Sequence, residues 1–368
     1  MNRRARRTAD RSTRVLVAGG VLATAALVLA GCASPGASDS REGPSIVATT
    51  TQVGDFTREL VGSSAEVAQL LSPGQSAHGF DPSAGQLLAL SNADALVVNG
   101  GGLESWLDDA IAASGFSGVL IDASEGIELY GTGDHGDEPA AAAADGHDDH
   151  ASDGDAGDVH ADDAGAAADD QAGHDHGDGN PHIWTDPALA ERMVENIAHG
   201  LAEVPGVDDA EVEANETDYA AQLDALDAWI SENVATVPVE QRLLVTNHDA
   251  FTYFVDAYDV TFVGSIIPSF DDNAEPSAAE IDDLVAQIGD TGVRAVFSEA
   301  SISPKAAETI AAESGVTVYS GDDALYGDSL GQPGTEGDTY LGSQVHNARL
   351  ILDSWGVEPS ALPAALQG

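Results

Sequence analysis

Three histidines and one aspartate of this chain stand where they could hold a metal ion. Each follows an apolar, strand-like run of residues and sits in a loop, the part of a fold that normally presents ligands. They are His78, His182, His248 and Asp328. Three imidazoles and one carboxylate form a nitrogen-rich set of four ligands, which suits tetrahedral zinc. We therefore expect one tight metal site, assembled from residues that lie far apart in the chain.

The segment around His182 has the most constrained backbone of the four. It reads Asn180-Pro181-His182-Ile183-Trp184-Thr185-Asp186-Pro187, so a proline lies on either side of the imidazole. Asp186 suits the N-cap of a following helix, and Pro187 suits its first turn. A ligand on such backbone is held in place before the metal arrives. A lone histidine near a helix start is more often structural, so the metal interpretation depends on the other three residues.

Three further titratable residues are weaker candidates. Glu299 follows the predicted strand Ala295 to Phe297 and could face the metal from behind the ligands, although a solvated glutamate at a strand end fits equally well. His199 and His346 fall inside predicted helices. We interpret both histidines as structural or exposed rather than as ligands.

The elements that must position these residues follow an alternating order. Short β-branched segments are separated by helical segments of about 8–12 residues, which predicts parallel strands with right-handed crossovers. The predicted fold class is α/β, with two lobes that each contain a mainly parallel sheet flanked by helices. Ligands bind at the carboxyl ends of strands in such sheets. His78 and His182 would come from the first lobe and His248 and Asp328 from the second, so the metal would lie in the cleft between lobes.

One long helix is predicted between the two lobes, from about Asp208 to Asn233. Five apolar residues recur along it at helical spacing and predict a single buried face. They are Tyr219, Leu223, Leu226, Trp229 and Ile230. At 1.5 Å per residue the helix reaches up to about 39 Å, a length that suits a rigid strut joining two lobes.

The N-terminus has the features of a bacterial lipoprotein signal. An Arg-rich segment precedes the apolar run from Val15 to Ala30, which is short for a membrane span. The run ends in Leu29-Ala30-Gly31-Cys32, which resembles a lipobox, and Cys32 is the only cysteine, so no disulfide framework is possible. We predict lipidation of Cys32 and a location on the extracytoplasmic face of the bacterial cell membrane, held through the lipid anchor only.

These features divide the chain into predicted regions. They are a signal peptide (1–32), a flexible tether (33–44), an N-terminal lobe (45–186) with an insertion (131–179), connecting helices (187–237) and a C-terminal lobe (238–368).

The charge of the chain excludes one class of partner. The 368 residues contain 13 Lys+Arg against 63 Asp+Glu, which gives a formal net charge of −50 at pH 7. Such a surface repels phosphate backbones and attracts cations. We therefore exclude nucleic acid as a partner.

The acidic tract, residues 131–179, differs from the rest of the chain. It consists almost entirely of Ala, Gly, Asp and His, and it contains no Lys or Arg. Too little apolar surface is available to offset the entropy of ordering, so we expect disorder. Six of the eleven histidines lie in it: His135, His147, His150, His160, His174 and His176. They favour weak, multiple metal capture, although a solvated insertion without function is the alternative.

Taken together, these motifs resemble those of the solute-binding lipoproteins of zinc and manganese ABC importers. The matching segments are the lipobox at Cys32, His78 to Pro82, Asn180 to Pro187, His248 to Phe254, Phe297-Ser298-Glu299, Asp328-Ser329-Leu330, Thr339-Tyr340-Leu341 and Asn347. The resemblance covers about residues 44–368 apart from the acidic tract. It implies two α/β lobes, a long connecting helix and a buried metal in the cleft, with His78, His182, His248 and Asp328 as its ligands.

Two features favour zinc within this resemblance. An insertion rich in histidine, directly before the second ligand, is typical of the zinc members. Manganese members tend to carry a carboxylate at the third ligand position, where this chain has His248. One departure is Gln75-Ser76-Ala77 before His78, where the family often has an acidic residue and a proline.

The resemblance implies a receptor that is not an enzyme. It would capture Zn²⁺ outside the membrane as a monomer and deliver it to the permease of an ABC importer. A manganese receptor of the same family is the first alternative. A cell-surface zinc hydrolase is the second, but it needs an open coordination position for water, and no His-Glu-x-x-His motif is present. The third is an adhesin or passive metal buffer that works through the acidic tract.

The acidic tract generates a first prediction. Deleting it, with Asn180-Pro181-His182 left intact, should preserve the fold and the tight site, because none of the four candidate ligands lies in it. Total zinc stoichiometry should fall, and zinc acquisition should slow when the metal is chelated. Stoichiometry by native mass spectrometry and uptake in limiting zinc are the measurements. A deletion protein that loses the tight site, or keeps full stoichiometry, would contradict this division of roles among the histidines.

Overall fold

The computed structural model describes residues 43–130 and 179–367. The predicted lipidation at Cys32 therefore lies outside the described residues. The same holds for the predicted metal capture by His135, His147, His150, His160, His174 and His176 of the acidic tract. The predicted region boundaries remain predictions.

The first lobe is a parallel sheet with helices between its strands. Its elements are β1 (Ser45–Ala48), α1 (Thr51–Val61), β2 (Glu66–Gln69), α2 (Ala84–Ser91), β3 (Ala95–Val98), α3 (Leu107–Ser114) and β4 (Val119–Asp122). The strand order is β2-β1-β3-β4 and every pairing is parallel. Strands β1 and β3 are almost completely buried, as expected for a sheet that is covered on both faces.

Two helices connect the lobes, α4 (Pro187–Leu201) and α5 (Asp209–Val234). Asp186 caps α4 by accepting a hydrogen bond from the backbone N–H of Ala188 at 2.9 Å, and Pro187 occupies the first turn, as the sequence predicted. The predicted apolar face of α5 is confirmed, since all five of its residues are buried. Helix α5 packs against α1, α4 and the last helix of the chain. Within residues 43–130 and 179–367, no helix is both long and apolar enough to cross a membrane.

The second lobe repeats the alternation of strands and helices. Its elements are β5 (Leu243–His248), α6 (Thr252–Ala257), β6 (Thr261–Ile267), α7 (Ala278–Thr291), β7 (Ala295–Phe297), α8 (Lys305–Ser314), β8 (Thr317–Tyr319) and α9 (Tyr340–Ser354). The strands form two parallel pairs, β5 with β6 and β7 with β8, and β5 lies against β7. The α/β class with parallel strands is confirmed.

A buried carboxylate organises the turn after β3. Glu104 accepts hydrogen bonds from the hydroxyl of Thr49 at 2.5 Å and from the backbone N–H groups of Asn99 at 2.8 Å and Gly100 at 3.2 Å. The Asn99 amide in turn donates to the backbone oxygen of Pro181 at 3.2 Å. This turn therefore links the first sheet to the segment that carries His182. Burial raises the pKa of Glu104 to about 7.

Glu104 generates a prediction about stability. Its raised pKa means that the folded protein binds a proton more tightly than the unfolded chain does. The contribution of Glu104 to the free energy of unfolding should therefore be greatest below about pH 4.5 and should be lost as the pH rises through 7. The total loss should be on the order of 3 kcal/mol. Replacing Glu104 by Gln should flatten that dependence. Urea unfolding at pH 5 and pH 7.5 measures the difference.

The exposed Glu125 provides the control for that experiment. Glu125→Gln removes one negative charge from the surface and leaves the buried turn intact. Equal pH dependence in the wild type and in Glu104→Gln would show that the carboxyl of Glu104 does not titrate within the folded protein.

Candidate metal centre

The structure brings the four predicted ligands together. One ligand atom from each of His78, His182, His248 and Asp328 lies within 4.8 Å of the others. The Nε2 atom of His182 lies 3.3 Å from Nε2 of His78 and 3.3 Å from Nε2 of His248. Asp328 Oδ1 lies 2.9 Å from Nε2 of His182 and 3.3 Å from Nε2 of His248, and its Oδ2 lies 3.6 Å from Nε2 of His78.

These spacings match a small tetrahedral ion. Bonds of about 2.0–2.1 Å in a tetrahedron place neighbouring ligand atoms about 3.3 Å apart. The observed separations of 2.9–3.6 Å surround that value. The side chains of His182, His248 and Asp328 are fully buried, and only that of His78 reaches solvent, at 7% exposure. The edge of the site at His78 is therefore its most accessible side.

His182 is oriented by a neighbour two residues away. The side-chain oxygen of Asn180 accepts hydrogen bonds from the His182 backbone N–H at 3.0 Å and from Nδ1 at 2.6 Å. This contact places the proton on Nδ1 and leaves the Nε2 lone pair facing the other ligands. The Asn180 amide nitrogen donates to the backbone oxygen of Asp249 at 2.7 Å and to the hydroxyl of Thr252 at 3.0 Å. Asn180 therefore connects His182 to the segment that follows His248.

His248 is oriented by a residue far away in the sequence. It is the last residue of β5, one position earlier than the loop in which the sequence pattern placed it. Glu299, which follows β7, accepts hydrogen bonds from the His248 backbone N–H at 3.0 Å and from Nδ1 at 2.8 Å. Glu299 is 1% exposed. The structure thus places Glu299 directly behind a ligand, the arrangement that fixes the tautomer of a metal-binding imidazole.

His78 lies in the loop between β2 and α2 and is held through its backbone. The indole nitrogen of Trp106 donates to the backbone oxygen of Ala77 at 2.8 Å, and the hydroxyl of Ser105 donates to that of His78 at 3.3 Å. The ring of Phe80 packs edge-on against Trp106, with the centroids 4.9 Å apart. The Trp106 and Ser105 contacts come from the segment before α3, in the first lobe. The hydroxyl of Ser76 accepts from the His78 N–H at 3.2 Å and donates to Asp272 of the second lobe at 2.8 Å, so both lobes hold this loop.

Asp328 lies in the loop between β8 and α9 and is the one carboxylate among the four candidate ligands. It is 2% exposed, and within the described residues no side chain or backbone group other than the site imidazoles contacts either carboxylate oxygen as a donor. Buried polar atoms normally have hydrogen-bond partners, so a buried carboxylate that faces only the site imidazoles requires an explanation. A cation held between the carboxylate and the imidazoles supplies one.

The pKa values of the site residues are shifted by burial and by the neighbouring charged groups. Burial lowers the pKa of His182 to about 4, against the attraction of Asp328. Burial would also lower the pKa of His248, but the carboxylates of Glu299 and Asp328 raise it well above its usual range. Burial would raise the pKa of Asp328, but His248 and His182 lower it well below that range. These directions favour a neutral His182, a protonated His248 and an ionised Asp328 at neutral pH.

Two of the histidines that the structure describes lie outside this cluster, as the sequence indicated. His199 is exposed on α4, and His346 of α9 is buried with Nε2 3.0 Å from the backbone oxygen of Ala324. Sequence reasoning missed the part played by Asn180. A short-range signal was present, since an asparagine two residues before a histidine can reach its Nδ1.

Two lobes of parallel β/α structure, with four ligand atoms converging from both, define a metal-binding solute-binding protein. The sequence profile of the family "ZnuA: Zinc-uptake complex component A periplasmic" matches residues 46–354. The chain belongs to this family.

Individual relatives differ in the metal for which they are named. The manganese-binding lipoprotein MntA of Halalkalibacterium halodurans is 28% identical over 330 residues, covering 89% of this chain and 94% of the relative. The zinc-binding protein TroA of Treponema pallidum is 25% identical over 313 residues, covering 84% and 88%. The solved structure of TroA aligns with a TM-score of 0.68 at 24% identity, covering 85% of this chain and 99% of that one. This structural likeness shows the shared fold.

The protonation of His248 generates a prediction. A metal that binds the Nε2 atom of His248 must displace a proton, so zinc binding at pH 7 should release about one proton, and affinity should rise with pH. Glu299→Gln should release fewer protons, because the amide does not stabilise the imidazolium. Isothermal titration in two buffers of different ionisation enthalpy measures the number released.

Equal heats of zinc binding in the two buffers would mean that no proton is released, and would contradict a protonated His248. Glu280→Gln, a change at an exposed glutamate of the α7 capping box, is the control for loss of one carboxylate.

Proposed function

We propose that this protein captures Zn²⁺ at His78, His182, His248 and Asp328 and delivers it to an ABC-type importer. The observation that supports this function most strongly is the convergence of four candidate ligand atoms from two lobes at tetrahedral spacing, with three of the four residues buried. Such a site can supply all four ligands of a tetrahedral ion, whereas a catalytic zinc site keeps one coordination position open.

The composition of the site supports zinc. Imidazole nitrogen suits zinc, whereas manganese prefers oxygen ligands, and three of the four ligands here are imidazoles. The family description also names zinc uptake. Manganese is the alternative, because relatives named for manganese and relatives named for zinc are similarly close.

The setting of the receptor is part of the proposal. The relative MntA is named a lipoprotein, and the Leu29-Ala30-Gly31-Cys32 motif supports a lipid anchor at Cys32. We place the receptor on the extracytoplasmic face of the cell membrane, where it would act as a monomer that docks on the permease. The formal charge of −50 would draw cations towards it, over the screening length of about 8 Å at physiological salt.

The zinc hydrolase alternative has less support. A hydrolytic zinc site keeps a coordination position for water, together with a general base beside it. Asp328 supplies a fourth protein ligand, and Glu299 is committed to His248 through two hydrogen bonds. An assay of hydrolysis by the wild type and by Asp328→Ala tests this alternative directly.

The proposed function generates a prediction about metal choice. Zinc should outcompete manganese by a wide margin in the wild type, because the donors are mostly nitrogen. His182→Ala and His248→Ala should each lose orders of magnitude in zinc affinity, because each removes a ligand from a rigid frame. Competition against a chromophoric chelator measures the tight site without interference from weak sites.

The control for these substitutions is His199→Ala, which removes an exposed histidine of α4 from outside the cluster. It should bind zinc as the wild type does. Equal zinc and manganese affinities at neutral pH would favour the manganese alternative, and unchanged zinc affinity in both ligand variants would show that the metal binds elsewhere.

A further inference from the structure

The loop that carries Asp328 belongs to the second lobe in sequence but is held by the first lobe in space. The hydroxyl of Thr51, at the start of α1, accepts a hydrogen bond from the backbone N–H of Leu330 at 2.9 Å. The neighbouring Gln52 donates from Nε2 to the backbone oxygen of Gly327 at 3.0 Å. Two adjacent side chains of α1 therefore contact the chain on both sides of Asp328.

These two side chains also contact each other. The Thr51 hydroxyl donates to Oε1 of Gln52 at 2.8 Å, which directs the Gln52 amide nitrogen towards Gly327. The indole nitrogen of Trp184 donates to the same Gly327 oxygen at 3.2 Å. Thr51, Gln52 and Trp184 are 3%, 1% and 1% exposed, so water does not compete for these bonds. We call this group of three side chains the α1 clamp.

The contacts of the second lobe end just before the clamp begins. The side chain of Asn347 in α9 accepts from the backbone N–H of Tyr326 at 2.8 Å and donates to its backbone oxygen at 2.9 Å. The backbone of Gly327 and of Leu330 bonds instead to the first lobe, and the hydroxyl of Ser329 accepts a hydrogen bond from the Gly74 N–H at 2.7 Å. The backbone on both sides of Asp328 is therefore bonded to the first lobe.

Gly327 lets the loop lie this close to the other ligands. A Cβ atom at this position would stand 2.1 Å from Oε2 of Glu299 and 3.7 Å from Cε1 of His248. The absence of a side chain allows the backbone oxygen to face Gln52 and Trp184 while the opposite side packs against Glu299.

We propose that Thr51 and Gln52 are positioning residues that hold the carboxylate of Asp328 in its orientation towards the metal. The proposal rests on the proposed function, because it requires Asp328 to be a ligand. Among the described residues, neither carboxylate oxygen has a donor outside the site imidazoles, so the orientation of the carboxylate depends on the backbone on either side of it. The α1 clamp is the part of the described structure that fixes that backbone.

The clamp also bears on metal preference. Asp328 supplies the only oxygen atoms among the four proposed ligands, whereas His78, His182 and His248 supply nitrogen. Manganese depends on oxygen ligands more than zinc does. A loosened carboxylate should therefore weaken manganese binding further than zinc binding, and the ratio of the two affinities should rise.

The test compares Thr51→Val with Thr51→Ser in the full chain. Valine keeps the shape of threonine but leaves the Leu330 N–H without its acceptor and Gln52 without its partner, whereas serine keeps the hydroxyl. Zn²⁺ and Mn²⁺ affinities are measured by chelator competition. Thr51→Val should weaken zinc binding about 10- to 100-fold, the usual effect of losing a group that orients a ligand. Thr51→Ser should restore most of that loss.

Two further variants complete the design. Thr57→Val makes the same substitution at another fully buried threonine of α1, whose hydroxyl donates to the Val53 backbone oxygen at 2.6 Å and stays away from the site. It should bind both metals as the wild type does. Gln52→Leu removes the second α1 side chain of the clamp. Its loss of metal affinity should be smaller than that of Thr51→Val, because Trp184 still donates to Gly327. If Thr51→Val does not fold, the affinities of Gln52→Leu test the proposal instead.

Asp328→Ala separates this inference from the proposed function. If Asp328→Ala weakens zinc binding while Thr51→Val and Gln52→Leu leave both affinities unchanged, the clamp has no positioning role and the proposed site stands. If Asp328→Ala binds zinc like the wild type, Asp328 is not a ligand and both proposals are wrong. Equal losses for zinc and manganese, or a serine variant as weak as the valine variant, would show that Thr51 acts on stability alone.

Discussion

The rest of this structure depends on one buried carboxylate facing three imidazoles. An ionised carboxylate taken out of water is costly unless positive charge and hydrogen-bond donors compensate for the loss of hydration. Asp328 is 2% exposed, and the three Nε2 atoms lie 2.9–3.6 Å from it. The site is therefore stable only with a cation among these groups, either a proton on His248 or a metal. Competition between these two cations would make metal capture at this site sensitive to pH.

Two of the three imidazoles are oriented by a residue that accepts a hydrogen bond from Nδ1. Asn180 does this for His182, and Glu299 does it for His248. Asn180 presents a neutral amide to His182, whereas Glu299 presents a carboxyl group to His248. Burial lowers the pKa of His182 to about 4, whereas the carboxylates of Glu299 and Asp328 raise the pKa of His248 well above its usual range. A metal at this site would therefore displace a proton from His248 but not from His182.

The site also unites the lobes without help from the metal. The Asn180 amide bonds to the segment after β5, and Thr51 and Gln52 bond to the loop around Asp328. Hydrogen bonds between buried partners hold the two halves of the ligand set in register. A frame of this kind favours ions whose preferred geometry matches the spacing already present, because deformation would break buried hydrogen bonds.

The sequence by itself determined those features that depend on residue type and on local spacing. The periodicity of α5, the cap of α4 at Asp186 and the alternation of parallel strands with helices were all predicted, since each arises from contacts a few residues apart. The four candidate ligands could be named because imidazoles and carboxylates in loops after apolar strands are chemically conspicuous. Only the tertiary structure decided how they meet and what orients them. Glu299 is 51 residues from His248, and Gln52 is 275 residues from Gly327, so no local pattern reports these pairings. It likewise decided that the second lobe forms two strand pairs, because pairing depends on backbone approach between distant segments rather than on the composition of either one.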